Sequence, residues 1–381
     1  MRGLRLVESV DESLGETFSW TLLPPNLLAV WHFDLDDRAH SRSPFKAFHC
    51  DMPGITITGY SACMIDGDLV DLHTHVHGED FSYYRTVPVD GDRSHAVWLY
   101  LPVEENERIV EVWRRIRRPK FCRDVPLLRT NKGRVLTLGT HPNMYEQGIT
   151  YDRLTSFPKS GPQRFWYSYT QDGIDSFAFD TPDLRCSKQK IPSGLNNPNL
   201  FVHSGLPGQG FYTTAKLENV VEVTPCKAWG PGTTGIVGLV FLYSDGHRDA
   251  VGQVRFDHLM SPIEVDQTNE HHDMWLAVRD HYCKDSPGSF IKVVEMMRVM
   301  PSFAENINGG NPSEEGLQWM RVRWRGRLDW GFWYRSCLVR FHEEATCPGD
   351  ISIALDATGG RVREESAAQA VLEHRPLIEC A

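Results

Sequence analysis

Glycine and proline divide this chain into short segments, and candidates for helices are few. There are 31 glycines and 23 prolines. Proline removes a rung of the helical ladder and glycine adds an entropic cost to it. Between the breaks lie short runs rich in Val, Ile, Thr, Tyr, Phe and Trp: 54–60 (GITITGY), 95–103 (HAVWLYLPV), 134–138 (RVLTL), 164–169 (RFWYSY) and 235–243 (GIVGLVFLY). Strand-length apolar runs bounded by turn residues argue for an all-β chain, with sandwich-like sheets around a common core. Residues 320–325 (MRVRWR) alternate most clearly. Met320, Val322 and Trp324 face one way and the arginines the other. A turn around Asp329–Gly331 followed by a strand over 332–341 completes the expected hairpin. Helices are expected only at 270–284, where Met274, Val278 and Tyr282 are spaced by four, and at 363–374. The Pro-, Gly- and Asn-rich stretch from 181 to 210 reads as a loop or linker between an N-terminal β region (1–180) and a C-terminal one (211–381).

Charge and cysteine usage narrow the partners. Fifty acidic against 40 basic residues give a net charge of −10. A general nucleic-acid binder needs a basic footprint, so that class is excluded; the basic run 114–120 reads as a solvated strand or turn. No apolar run reaches bilayer-spanning length. The nine cysteines are scattered and never spaced Cys-x-x-Cys, which argues against a zinc knuckle or a disulfide framework. Acidic residues interrupt the first sixteen positions before a signal-peptide core can form, so a cytoplasmic protein is expected. The sequence leaves the oligomeric state open.

Two segments carry a family resemblance. One is Glu107–Gly139, with a Thr130-Asn131-x-x-Arg134 turn closed by a glycine-bounded strand. The other is 236–252 (IVGLVFLYSDGHRDAVG), ending in Asp249-Ala250-Val251-Gly252. Both resemble strands of the jacalin-type β-prism lectins, and similar strands occur in uncharacterised fungal-type proteins. The resemblance implies three sheets about a pseudo-threefold axis and a sugar held by an aspartate on a Gly-x-x-x-Asp loop. Here that loop is Gly246-His247-Arg248-Asp249, one residue short, which moves the carboxylate of Asp249 away from the sugar's other donors. Asp249 then serves either a sugar or a hairpin turn.

The densest titratable segment is 71–80, DLHTHVHGED. On a strand, His73, His75 and His77 share a face. Three readings stay open: a polar strand face, a metal site, or acid–base groups aided by Glu79 and Asp80. The run 69–75 also resembles the amidohydrolase signature, but that fold needs strand–helix repeats and further ligands, which this chain lacks. His32 and Asp34 form a second pair on an aromatic strand. Trp31, Tyr83, Trp324 and Trp333 could wall an apolar ligand. Gly230–Gly235 matches Gly-x-Gly-x-x-Gly but leads into a strand, where a dinucleotide fingerprint must open a helix. No P-loop or nucleophile elbow occurs.

These residues lead to an expected lyase, isomerase or cyclase acting on an apolar small molecule of secondary metabolism. It uses histidines and carboxylates in an aromatic pocket, with no metal and no cofactor. The alternative is a lectin-like protein without catalysis.

Overall fold

The computed structural model describes residues 7–10, 17–20, 29–33, 45–52, 54–87, 96–116, 124–141, 149–158, 163–170, 173–180, 210–229, 234–266, 273–282, 290–300, 317–333 and 336–343. The fold is mainly β, as the short apolar runs between turn residues indicate. Among the described residues, helix is confined to the single turns Tyr83–Thr86 and Phe256–His258. None is long and apolar enough to cross a membrane. The chain divides into two compact units. One is Met1–Phe211 with His247–Asp249 and Gln253–Asp257; the other is Tyr212–Gly246, Ala250–Gly252 and His258–Ala381.

In the first unit, a three-stranded antiparallel sheet carries the residues of interest. Its middle strand, Ile57–Ile65, pairs with Asp68–Val76 on one side and Ala96–Pro102 on the other. The middle strand is buried from Gly59 to Ile65, which explains its continuous run of small and apolar residues. Asp66 and Gly67, at φ 53° and 88°, close the first hairpin. Two successive positive φ values define a type I′ turn, whose twist matches that of paired strands. A bulge follows. Ile65 pairs with Asp68 and Met64 with Leu69, but Cys63 pairs with Asp71, so the Asp68–Val76 strand holds one extra residue. Beyond the bulge, Ser61 faces His73, and Tyr100 faces Ser61 from the other side.

A four-stranded sheet in the order Ala29–His32, Gly173–Phe179, Gln163–Thr170 and Lys46–Asp51 supplies the aromatic core of this unit. Phe165 lies 4.7 Å from Phe177 and 4.9 Å from Phe48, ring to ring. The Tyr60 hydroxyl donates to the Cys50 carbonyl at 2.7 Å, and Thr74 Oγ1 to that of His49, fastening the two sheets. A second four-stranded sheet runs Val135–Thr137, Val125–Thr130, Ile109–Ile116, Thr150–Ser156. The described part of the basic run, its first residues, lies in this sheet. Arg114 pairs with Asp124 and Asp152, and the guanidinium of buried Arg115 donates to the Thr140 carbonyl.

The second unit holds a seven-stranded sheet in which Ile236–Tyr243 lies between Val220–Lys227 and Phe290–Met300. From Tyr212 onward it also holds most of a three-stranded sheet of Phe211–Lys216, Arg327–Trp333 and Ser336–His342. Three expectations need correction. The segment expected to be helical at 270–284 is the strand Asp273–Tyr282, paired on both edges. Met274, Trp275, Leu276 and Ala277 are all buried, so the spacing by four was one part of a run buried on both faces. The alternating segment ends as a strand at Val322, and its partner is Asp273–Tyr282. The expected turn at Asp329–Gly331 lies inside the strand Arg327–Trp333. The proposed helix at 363–374 and residues 181–209 of the linker lie outside the described residues, as does most of the glycine motif at 230–235. The described cysteines Cys50, Cys63, Cys226 and Cys337 are buried thiols.

Candidate functional site

Where the Asp68–Val76 strand stops decides which histidines meet. It ends at Val76, and the His77 amide donates to the Thr56 carbonyl at 3.1 Å. Gly78 then takes φ 80°, a conformation open to glycine at little cost, and the chain turns back. His77 is left exposed. Glu79 takes the place that strict alternation reserves for His77, and its carboxylate reaches the face shared by His73 and His75.

His73 Nε2 lies 2.9 Å from Glu79 Oε2, and His75 Nδ1 contacts Glu79 Oε1. The second ring nitrogen of His75, Nε2, is 2.7 Å from Ser61 Oγ and 3.4 Å from the Tyr84 hydroxyl. With the His75 proton on Nδ1, directed at the carboxylate, Nε2 accepts from Ser61. The order Ser61–His75–Glu79 is that of a nucleophile, a base and an orienting acid. Ser61 has no exposed surface, however, so its hydroxyl positions His75 rather than meeting a substrate. His73 and Glu79, with side chains 14% and 15% exposed, form the edge open to solvent.

Aromatic rings enclose the cluster. Tyr83 stacks on His73 at 4.1 Å, and Phe256 and Tyr100 lie 4.6 and 5.6 Å from the His75 ring. The turn Tyr83–Thr86 delivers both Tyr83 and Tyr84. Tyr100 can lean over the sheet because its diagonal neighbour is Gly59; a Cβ there would sit 2.3 Å from the ring. The Arg255 guanidinium lies over the rings of Tyr84 and Trp98, at 5.2 and 5.3 Å, and pairs with Asp257 at 2.7 Å, bracketing Phe256. A groove of about 390 Å³ shares Phe256 with the cluster and is lined by Asp80, Phe81, Ser82, Arg85 and Asp257.

Burial lowers the pKa of His75, against the pull of Glu79, so the ring is neutral near pH 7. Burial alone would raise Glu79, but hydrogen bonds from His73 and His75, and their charge, outweigh it and hold the carboxyl at about 2. Burial pushes Tyr83, Tyr84 and Tyr100 upward, so all three stay protonated.

Of the residues expected from sequence, the structure joins His73, His75, Glu79 and Tyr83. His77 is excluded for the reason given. Asp80 is exposed, and its Oδ1 accepts from the Ser82 amide at 2.9 Å, in the turn that precedes Tyr83–Thr86. His32 lies in the aromatic four-stranded sheet, opposite Ser176, while Asp34 is outside the described residues. Trp31 is buried, its ring 4.5 Å from Phe33 and 6.0 Å from Phe177, as a core residue. Trp324 and Trp333 belong to the second unit. The Asp249 carboxylate lies 3.8 Å from Arg134 Nη1. Ser61, Tyr84, Tyr100 and Phe256 went unread in the sequence. No local signal placed Ser61, because the register set by the Asp66-Gly67 turn shifts at the bulge.

No protein-family model matches the chain, and no curated protein matches it.

Proposed function

We propose that this protein is an enzyme that acts on a largely apolar small molecule at the His73–His75–Glu79 centre. The reaction class is non-redox proton transfer: isomerisation, elimination or cyclisation. One observation carries the reading. A half-buried carboxylate gathers two imidazoles inside an aromatic wall, and among the described residues no lysine or arginine pairs with it. A structural carboxylate is usually neutralised by a permanent cation; imidazoles are the groups whose protons move near neutral pH. The neutral tyrosines are hydrogen-bond donors, and Phe81 and Phe256, stacked at 5.9 Å, offer an apolar surface beside the cluster.

The test is incubation of the whole protein with fractionated metabolite extracts, followed by untargeted mass spectrometry. The expected result is a component consumed by wild type and converted to a product of equal mass or one smaller by a neutral fragment. His73→Ala should lower that rate by ~10²–10⁴, the usual contribution of a general acid–base group. A glycan array run in parallel addresses the lectin alternative. Sugar binding abolished by Asp249→Ala, with nothing consumed from any extract, would overturn the proposal.

A further inference from the structure

Three donors of the cluster have an arrangement that hydrogen bonding alone does not require. One ring nitrogen each of His73 and His75 and a Glu79 carboxylate oxygen all lie within 4.8 Å of one another. Ligand atoms about 2.1 Å from one first-row metal ion lie about 3.0–4.2 Å from each other, so side-chain shifts of about an ångström would close the set around one ion. We propose that His73, His75 and Glu79 bind a single divalent first-row transition-metal ion, such as Zn²⁺, Mn²⁺ or Fe²⁺.

The backbone supports this independently of the side-chain distances. His73 and His75 sit two apart on a strand whose partner is buried along most of its length, so both imidazoles leave one face from a fixed base. Glu79 arrives from the turn on the same side. Ser61 supplies what metal-binding histidines generally have: a partner for the nitrogen that does not bind the ion. With metal on Nδ1, His75 Nε2–H donates to Ser61 Oγ across the observed 2.7 Å, fixing the tautomer. Two imidazoles and one carboxylate leave further coordination positions vacant, the pattern of a site that works on a bound molecule. The partly exposed edge formed by His73 and Glu79 is the approach to those positions. This proposal rests on the cluster being the reactive centre and changes one part of it. With the ion bound, the three side chains act as ligands, and the polarising charge belongs to the ion.

The experiment uses the full chain, stripped by chelator and dialysed, then titrated with Co²⁺ as the probe and followed by visible absorbance and calorimetry. Wild type should bind one ion per chain and show d–d bands shifted from those of aqueous Co²⁺. His77→Ala should bind identically, because His77 stands outside the set. His73→Ala and Glu79→Gln should each weaken binding by at least ~10-fold, and Ser61→Ala by ~10–100-fold. Circular dichroism of each variant establishes that it is folded. If His73→Ala misfolds, Glu79→Gln, which keeps size and shape, decides the question. Absence of stoichiometric binding by folded wild type would overturn the proposal, as would equal affinity in wild type and folded Glu79→Gln. Because binding is read without turnover, a failed extract assay would leave this result standing, and failed metal binding would leave the acid–base reading standing.

Discussion

Glu107 has no exposed side-chain surface, yet its neighbours keep it ionised. Burial would raise its pKa; hydrogen bonds from Arg134 and Thr130, and the Arg134 charge, bring it below the ordinary carboxylate value. Arg134 Nε and Nη2 lie 2.9 and 2.8 Å from the two oxygens, and Thr130 Oγ1 donates at 2.7 Å. A depressed folded pKa contributes stability that is complete above the unfolded value, roughly 4.3, and is lost as pH falls through the folded one. Glu107→Gln should therefore cost about 3 kcal/mol at pH 7, the low end for a buried pair because Arg134 is partly exposed, and should flatten the acid limb of stability. Urea unfolding at pH 7 and pH 3.5 measures both; an equal loss at the two values would contradict the argument. These residues, with Asn131, belong to the strand–turn–strand within 107–139, which works as a structural clamp, with Arg134 reaching Asp249 from the segment 236–252. At this scale, sequence reading located His73, His75 and Glu79 but could not order them. Strand alternation favoured His77, and the stop at Val76 followed by Gly78 favoured Glu79.

Elements were legible where turn residues bound a short apolar run, whether one face or both are buried. The runs at 95–103, 134–138, 164–169 and 235–243 became strands close to where the turn residues placed them. Asp273–Tyr282 was misread because a centre strand shows no alternation, and its apolar positions fit a helix equally well. The Asp68–Val76 strand shows a subtler limit. Its Asp66-Gly67 turn alone would pair Ser61 with Leu72; the bulge adds one residue and gives Ser61 to His73. That single insertion decides which side chains share the face. The same sheet depends on Gly59, over which Tyr100 lies. Gly59→Ala forces the ring away from a packed position against His75 and Phe256, and should destabilise by about 1–3 kcal/mol, as overpacking does. The Tyr100 hydroxyl, 3.1 Å from the Thr58 carbonyl, would lose its acceptor as well. Chemical denaturation checks this; a change under about 0.5 kcal/mol would mean that the ring relocates freely.

Across the whole molecule, the β class followed from short apolar and alternating runs between turn residues, whereas the two units and the residues that meet within the first depend on long-range pairing. Ser61, Tyr84, Tyr100 and Phe256 reach the histidines from four separate segments, and no local pattern joins them. The functional centre proposed for the chain therefore stands on tertiary structure more than on any motif. Its most direct test compares Glu79→Gln with His77→Ala in the extract assay that identifies a substrate. The account predicts that Glu79→Gln loses turnover by ~10² or more while His77→Ala retains it. Turnover lost in His77→Ala and kept in Glu79→Gln would contradict it.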